Sequence, residues 1–301
     1  MSDLPIEVPS LRSQLTEPTS IAMIDKIQFC LVSTTFADEV ILTSYVSDGI
    51  TNLQGNTQTI VFLHGFDSSL LEFRRLLPQL TDTYQVLAVD LFGFGMTERL
   101  RDVQVSPMSI KEHLYAFWQT VIATPIILVG ASMGGAAAID FALAHPEVVQ
   151  RLILIDSAGM RAGTAMGKFL ISPLDRMATN FLRSPKVRRE VSLKAYADSS
   201  FVTPDAEACA SLHLAMPRWS ESLISFTKSG GYGSFAEPLK YLEQETLILW
   251  GDRDRILGTK DATKFQSVIP RNQLIWIDNC GHVPHLEHPA IVAQHIREFV
   301  G

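Results

Sequence analysis

The chain has 301 residues, of which 47% are hydrophobic and 19% charged, with a formal net charge of −7. That length and apolar content allow a sizeable buried core and exclude a disordered chain. The acidic balance argues against general nucleic-acid binding, which needs a basic surface.

Residues 1 to about 20, with Pro5, Pro9 and Pro18, read as a loose leader. No basic n-region or continuous apolar stretch marks a secretory signal there. Two β-rich runs follow, roughly Lys26 to Ser33 and Glu39 to Val46, suited to an antiparallel hairpin. The pattern then changes. Thr59–Leu63 and Gln85–Val89 are fully apolar strands, and Leu70–Leu80 between them has helical spacing. A helix near Ser109–Val121, the strand Ile126–Val129, a helix over Met133–Ala144 and the strand Arg151–Ile155 come next. Continuous apolar strands alternating with amphipathic helices predict a parallel sheet covered on both faces, with ligands beyond the carboxyl ends of its strands. From about Arg161 to Glu243 the strand pattern stops, and helices broken by Pro173, Pro185, Pro204 and Pro217 take over. The sheet resumes with Thr246–Trp250 and Gln273–Ile277, and a helix over Ala290–Val300 closes the chain. Residues 1–160 and 244–301 are thus expected to form one α/β core, and 161–243 a helical cap above the strand ends.

The most membrane-like stretch, Pro125 to Ala144, contains Ser132, three glycines and Asp140, so a buried strand and helix explain it better than a bilayer span. Cys30, Cys209 and Cys280 are an odd number, widely spaced and without C-x-x-C, which fits reduced thiols in a cytoplasmic protein and neither a disulfide framework nor a zinc site.

Gly130-Ala131-Ser132-Met133-Gly134-Gly135 lies between the Ile126 strand and the Met133 helix. A turn this sharp needs residues with almost no side chain around its apex, and it leaves the serine hydroxyl exposed above the sheet. Such a serine becomes a nucleophile if a base and an orienting acid reach it from other strand ends. The loop after Trp250 offers Asp252 and Asp254, and the loop after Ile277 offers Cys280, His282 and His285. Asp156 also ends a strand, so the identity of the acid stays open between Asp254, Asp252 and Asp156.

With these pieces in place the chain resembles cap-bearing α/β-hydrolase fold enzymes over residues 58–301. The likeness rests on His64-Gly65-Phe66, Asp90-Leu91-Phe92-Gly93-Phe94-Gly95, the Ser132 turn, Trp250-Gly251-Asp252-Arg253-Asp254, and Gly281-His282-Val283-Pro284 with Glu287 and Pro289. The resemblance implies a mostly parallel eight-stranded sheet with the cap inserted between strands 6 and 7. Carried over, Ser132 is the nucleophile, His282 the base and Asp254 the orienting acid. The backbone N–H groups of Phe66 and Met133 form the oxyanion hole, and no metal or organic cofactor is needed. His64 would brace the oxyanion loop, and Asp90 would tie down the glycine-rich turn after it. Related epoxide hydrolases and haloalkane dehalogenases place aspartate where this chain has Ser132, which argues against both activities.

The expected reaction is cleavage of a small or medium carboxylic ester through an acyl-enzyme, with a small-molecule ester or acyl substrate. Carbon–carbon bond hydrolysis and cofactor-free perhydrolase activity use the same triad, and a catalytically silent binding scaffold is the alternative from another class. The substrate-binding residues are not legible. Phe169, Phe181, Tyr196, Phe201, Trp219, Phe226, Met166, Met177 and Met216 could line an apolar pocket or simply dock the cap. Between Arg161 and Lys194 eight basic residues (Arg161, Lys168, Arg176, Arg183, Lys186, Arg188, Arg189, Lys194) face two acids, Asp175 and Glu190. The excess suits an anionic substrate, a carrier-protein-bound acyl ester or a lipid surface, with a solvated helix face as the plainer reading.

Overall fold

Runs such as Thr59–Leu63 have no polar side to turn to water, so they are stable only as strands covered on both faces. The structure, a computed structural model, describes residues 12–50, 58–161 and 173–301. Eight strands form one sheet: β1 (Ile27–Val32), β2 (Ile41–Gly49), β3 (Thr59–Leu63), β4 (Gln85–Val89), β5 (Ile126–Ala131), β6 (Val149–Ile155), β7 (Glu245–Gly251) and β8 (Asn272–Ile277). Their order is β1-β2-β4-β3-β5-β6-β7-β8. β2 pairs antiparallel with β1 and β4, and all other neighbours are parallel. β3 and β5 are buried at every residue, whereas the edge strands β1 and β8 are largely half-exposed.

Each face carries one apolar cluster. The helices Pro107–Val121, Met133–Ala144 and Lys260–Val268 cover one face through Ile110, Phe117, Ile139, Phe141 and Phe265. Pro18–Asp25 and Pro289–Val300 cover the other through Ile24 and Ile296, joined there by Phe73.

Two expectations are corrected. Leu70–Leu80 is not one helix but two 3-10 turns, Leu70–Phe73 and Leu77–Gln79. Pro78 accounts for the break, because inside an α-helix its ring would clash with the carbonyl four residues back. The leader is also not loose as far as residue 20. Pro18–Asp25 is a helix, and the N–H groups of Thr16 and Glu17 donate to Asp205 Oδ1 at 2.5 and 2.8 Å while Ser20 Oγ donates to Oδ2 at 2.5 Å. The carboxylate thus ties down the backbone leading into the helix, and its negative charge lies at the helix's positive end. Residues 1–11 lie outside the described residues.

Between β6 and β7 run the helices Leu174–Arg183, Pro185–Ala195, Pro204–Cys209 and Trp219–Ser229. Pro185 and Pro204 occupy first turns, where a missing N–H costs nothing. Tyr196, Met216, Trp219 and Phe226 are buried, whereas Met177 and Phe181 are exposed. Met166, Lys168 and Phe169 lie outside the described residues. Among the described residues no helix is long and apolar enough to cross a membrane.

Candidate active site

The chain leaves β3 toward β4 on one side, and β5 lies on the other. Loops that diverge from neighbouring strand ends leave a crevice between them, and this one has His64-Gly65-Phe66 on one wall and Ser132 on the other. Ser132 has φ 52° and ψ −119°, a strained conformation for a residue with a side chain. Close packing beneath it holds that conformation. A Cβ on Gly134 would lie 2.0 Å from the Leu63 carbonyl oxygen, and one on Gly130 would lie 2.3 Å from that of Gly134. The Ser132 N–H donates to Ile155 O at 3.0 Å, and its carbonyl accepts from Gly135 and Ala158.

Ser132 Oγ lies 3.0 Å from His282 Nε2, and His282 Nδ1 lies 3.0 Å from Asp254 Oδ2. An ionised carboxylate only accepts, so the imidazole proton sits on Nδ1 and Nε2 offers its lone pair to the serine hydroxyl. Asp254 Oδ1 accepts from the N–H groups of Ile256 (2.7 Å) and Leu257 (3.1 Å). Burial pushes the Asp254 carboxyl up, but the bond and charge of His282 and these amides outweigh it, and the net shift is downward. The other two acids are engaged elsewhere. Asp252 accepts from the Cys280 N–H at 3.0 Å, and Asp156 accepts from the Gly251 N–H at 3.1 Å. Burial and then the neighbouring Asp254 push the Asp156 carboxyl well above the usual carboxylate range. Ligand atoms of Asp156, Asp254 and His282 lie within 4.8 Å of one another. A cation there would have to replace the His282–Asp254 bond, so the trio suits proton transfer better than metal binding.

In the opposite wall, buried His64 donates from Nδ1 to Gly65 O at 2.8 Å and accepts at Nε2 from the Leu91 N–H at 3.2 Å. Asp90 accepts from the N–H groups of Leu70 (2.6 Å) and Met96 (2.8 Å), which pins the glycine-rich turn. The Gly65 N–H donates to Glu72 Oε2 at 2.9 Å. The next amide, Phe66, has no acceptor among the described residues. Met133 opens its helix, so its N–H belongs to those with no partner inside the helix. Cys280 is buried and its thiol is pushed far up by burial and by Glu287, so it is no thiolate.

Three carboxylates that sequence reasoning left without a role organise the site. Glu72 Oε1 meets His285 Nε2 at 3.0 Å while Oε2 holds Gly65; burial raises its carboxyl, but His285 and the Gly65 amide overcome this and bring it down to about 2. Asp67 joins the loop after β3 to the helices between β6 and β7. Its Oδ1 accepts from His213 Nε2 (3.0 Å) and Trp219 Nε1 (2.7 Å), and its Oδ2 from Arg188 Nη1 (2.7 Å). Glu287 accepts from the N–H groups of Gly281 (2.6 Å), Ala197 (2.9 Å) and Asp198 (3.0 Å). Beside it the His282 N–H donates to Ala195 O at 2.6 Å, so closely that a Cβ on Gly281 would lie 2.1 Å from that oxygen. Glu287 was visible as part of a motif. Glu72 and Asp67 act through tertiary contacts that no spacing announces.

A cavity of about 350 Å³ opens over Ser132 and His282, with Phe66, Val191, Tyr196 and Ile256 in its walls. A more open depression of about 640 Å³, walled by Arg161, Arg253, Arg255 and Lys260, borders Asp254 and includes neither Ser132 nor His282.

Residues 58–289 match the alpha/beta hydrolase fold family, and the chain belongs to that family. It is a hydrolase of this fold. It is 31% identical over 242 residues to the alpha/beta hydrolase domain-containing protein VTE7 of Arabidopsis thaliana, covering 80% of this chain and 73% of that one. It is 26% identical over 250 residues to a 2-hydroxymuconate semialdehyde hydrolase of Pseudomonas sp. strain CF600, covering 80% and 86%. A thermophilic esterase of Thermogutta terrifontis shares the fold with a TM-score of 0.76 at 22% identity, covering 91% of this chain and 98% of its own.

Proposed function

We propose that Ser132, His282 and Asp254 are the triad of a serine hydrolase that cleaves a small or medium carboxylic ester, with residues 161–243 as its cap. The observation that carries this reading is the unbroken chain of two 3.0 Å hydrogen bonds from the Ser132 hydroxyl through His282 to Asp254. Ser132 Oγ attacks the acyl carbon as its proton passes to His282 Nε2. The oxyanion takes hydrogen bonds from the Phe66 and Met133 amides, and His282 returns the proton to the departing alcohol. Water then loses a proton to His282 and attacks the acyl-enzyme, which releases the carboxylic acid and regenerates the serine. Asp254 fixes the tautomer and stabilises the imidazolium.

The cavity walls favour an uncharged acyl group. At about 350 Å³ the cavity sits near the small end of ligand pockets, which span roughly 300–1,000 Å³. Among the described residues its one arginine, Arg188, is held by Asp67, and Glu72 adds a carboxylate kept ionised. A second reading, hydrolysis of a carbon–carbon bond in an anionic dienoate, draws on the buried Arg188 Nε, which has no hydrogen-bond partner. It also draws on the relative named as a semialdehyde hydrolase.

A fluorophosphonate probe should label wild-type protein covalently, and Ser132→Ala or His282→Ala should abolish the label. Folded wild type that hydrolyses no nitrophenyl ester of any acyl length but cleaves a dienoate would favour the second reading. Folded wild type that neither labels nor turns over either substrate would remove the proposal.

A further inference from the structure

The helix Leu174–Arg183 is mounted inside out. Its polar side packs inward: Asp175 and Thr179 are buried, Lys228 Nζ donates to Asp175 Oδ2 at 2.7 Å, and Thr179 shares a 2.6 Å hydrogen bond with Ser220. Arg183 donates to Leu214 O at 2.9 Å, with its guanidinium 5.7 Å from the centre of the Trp219 ring. Apart from Leu182, its large apolar side chains face out. Leu174, Met177 and Phe181 stand at i, i+3 and i+7 and are 55%, 62% and 65% exposed, although a surface helix ordinarily turns such a stripe toward the core. The helix borders the Ser132 cavity through Leu182, which turns inward from the stripe, and the exposed Val191 of the following helix also lies in the cavity wall.

The charge beside this stripe selects its partner. Arg176, Lys186 and Lys194, on the same two helices, are exposed and make no ion pair among the described residues. They belong to a stretch with eight basic and two acidic residues in a chain of net charge −7. A second copy docked face to face would bring these cations against one another. Apolar side chains flanked by cations suit a bilayer surface with anionic headgroups, where the apolar groups enter the acyl boundary and the cations meet phosphate.

We propose that this face docks on an anionic lipid bilayer and holds the mouth of the Ser132 cavity at headgroup level. Entry of a bilayer-dissolved ester into that cavity rests on the ester reading above, whereas the docking itself does not.

The test is flotation of the full chain with vesicles of phosphatidylcholine alone or of equimolar phosphatidylcholine and phosphatidylglycerol. Wild type should float with the mixed vesicles and be released by added salt, and the double variant Met177→Ser/Phe181→Ser should bind about tenfold more weakly or worse. Lys186→Ser/Lys194→Ser should lose most of the preference for phosphatidylglycerol. The Met177 and Phe181 side chains lie outside the cavity wall, so turnover of a soluble short-chain nitrophenyl ester should be unchanged in that variant. If that variant misfolds, Leu174→Ser provides the same comparison. Wild type that stays behind with both vesicles, serine variants that float as well as wild type, or equal flotation with phosphatidylcholine alone would each overturn the proposal. So would a solution dimer that Met177→Ser/Phe181→Ser splits. Flotation without any ester turnover would count against the ester reading and leave the docking supported.

Discussion

Glu72 links two buried groups, and its value to the site lies in the amide it holds. With Gly65 tied at 2.9 Å, the backbone leading to Phe66, whose amide is the proposed oxyanion donor, is held in place. Glu72→Ala should therefore lower kcat by about 10- to 100-fold with little change in KM, less than the roughly 10²–10³ lost with a whole oxyanion donor. Glu72→Gln should recover much of that loss, because one amide oxygen can still accept from Gly65. The carboxyl is lowered from an ordinary 4.5 to about 2, so the native state binds fewer protons than the unfolded one. Its stabilising contribution is therefore complete above about 4.5 and disappears as pH falls toward 2. Denaturant titrations across that window should show a shallower acid limb for Glu72→Gln than for wild type. The proposed acid separates in the same way. Asp254→Asn should reduce kcat by about 10⁴ through the wrong imidazole tautomer, whereas Asp156→Asn, which keeps an acceptor for the Gly251 amide and leaves the His282–Asp254 bond in place, should change it only a few-fold. The residues of the proposed triad were legible because their chemistry demands particular side chains just past strand ends. Glu72 was not, since a 3-10 turn brings it to Gly65 and its effect passes through a neighbour's backbone.

Asp67 does at the level of elements what Glu72 does for one amide. A single carboxylate in the loop after β3 receives donors from Arg188, His213 and Trp219, which belong to three separate pieces of the helical segment. Asp67→Ala would strand these buried donors and leave an uncompensated guanidinium, at a cost of about 3–5 kcal/mol. The loss should show as faster hydrogen exchange and proteolysis within 185–220, with the sheet still protected. Strands such as β3 and β5 were plain in the sequence because apolar runs bounded by turns admit few alternatives. The helix boundaries near Pro185 and Pro204 were also readable, from proline's fit to a first turn. The orientation of Leu174–Arg183 was not, since its i, i+3, i+7 stripe follows the rule for an inward face and only the Asp175–Lys228 and Thr179–Ser220 contacts reverse it. The helix Lys260–Val268 escaped notice because its apolar positions are only Ala262, Phe265 and Val268.

At the scale of the whole molecule, the fold gathers at one crevice residues as far apart in sequence as 64 and 287. The strand order creates that crevice without help from any side chain in it. This explains why the fold was readable while the substrate was not: motifs record the sheet's demands, and the segment between β6 and β7 has no comparable grammar. The bond from the His282 amide to the Ala195 carbonyl, with Glu287 gripping Ala197 and Asp198, makes that segment part of the scaffolding around the imidazole. Specificity in such a hydrolase is therefore not a detachable module. A chimera that imports a homologue's residues between 161 and 243 inherits a mismatched cradle unless the donor's own stretch equivalent to 281–287 is transplanted with it.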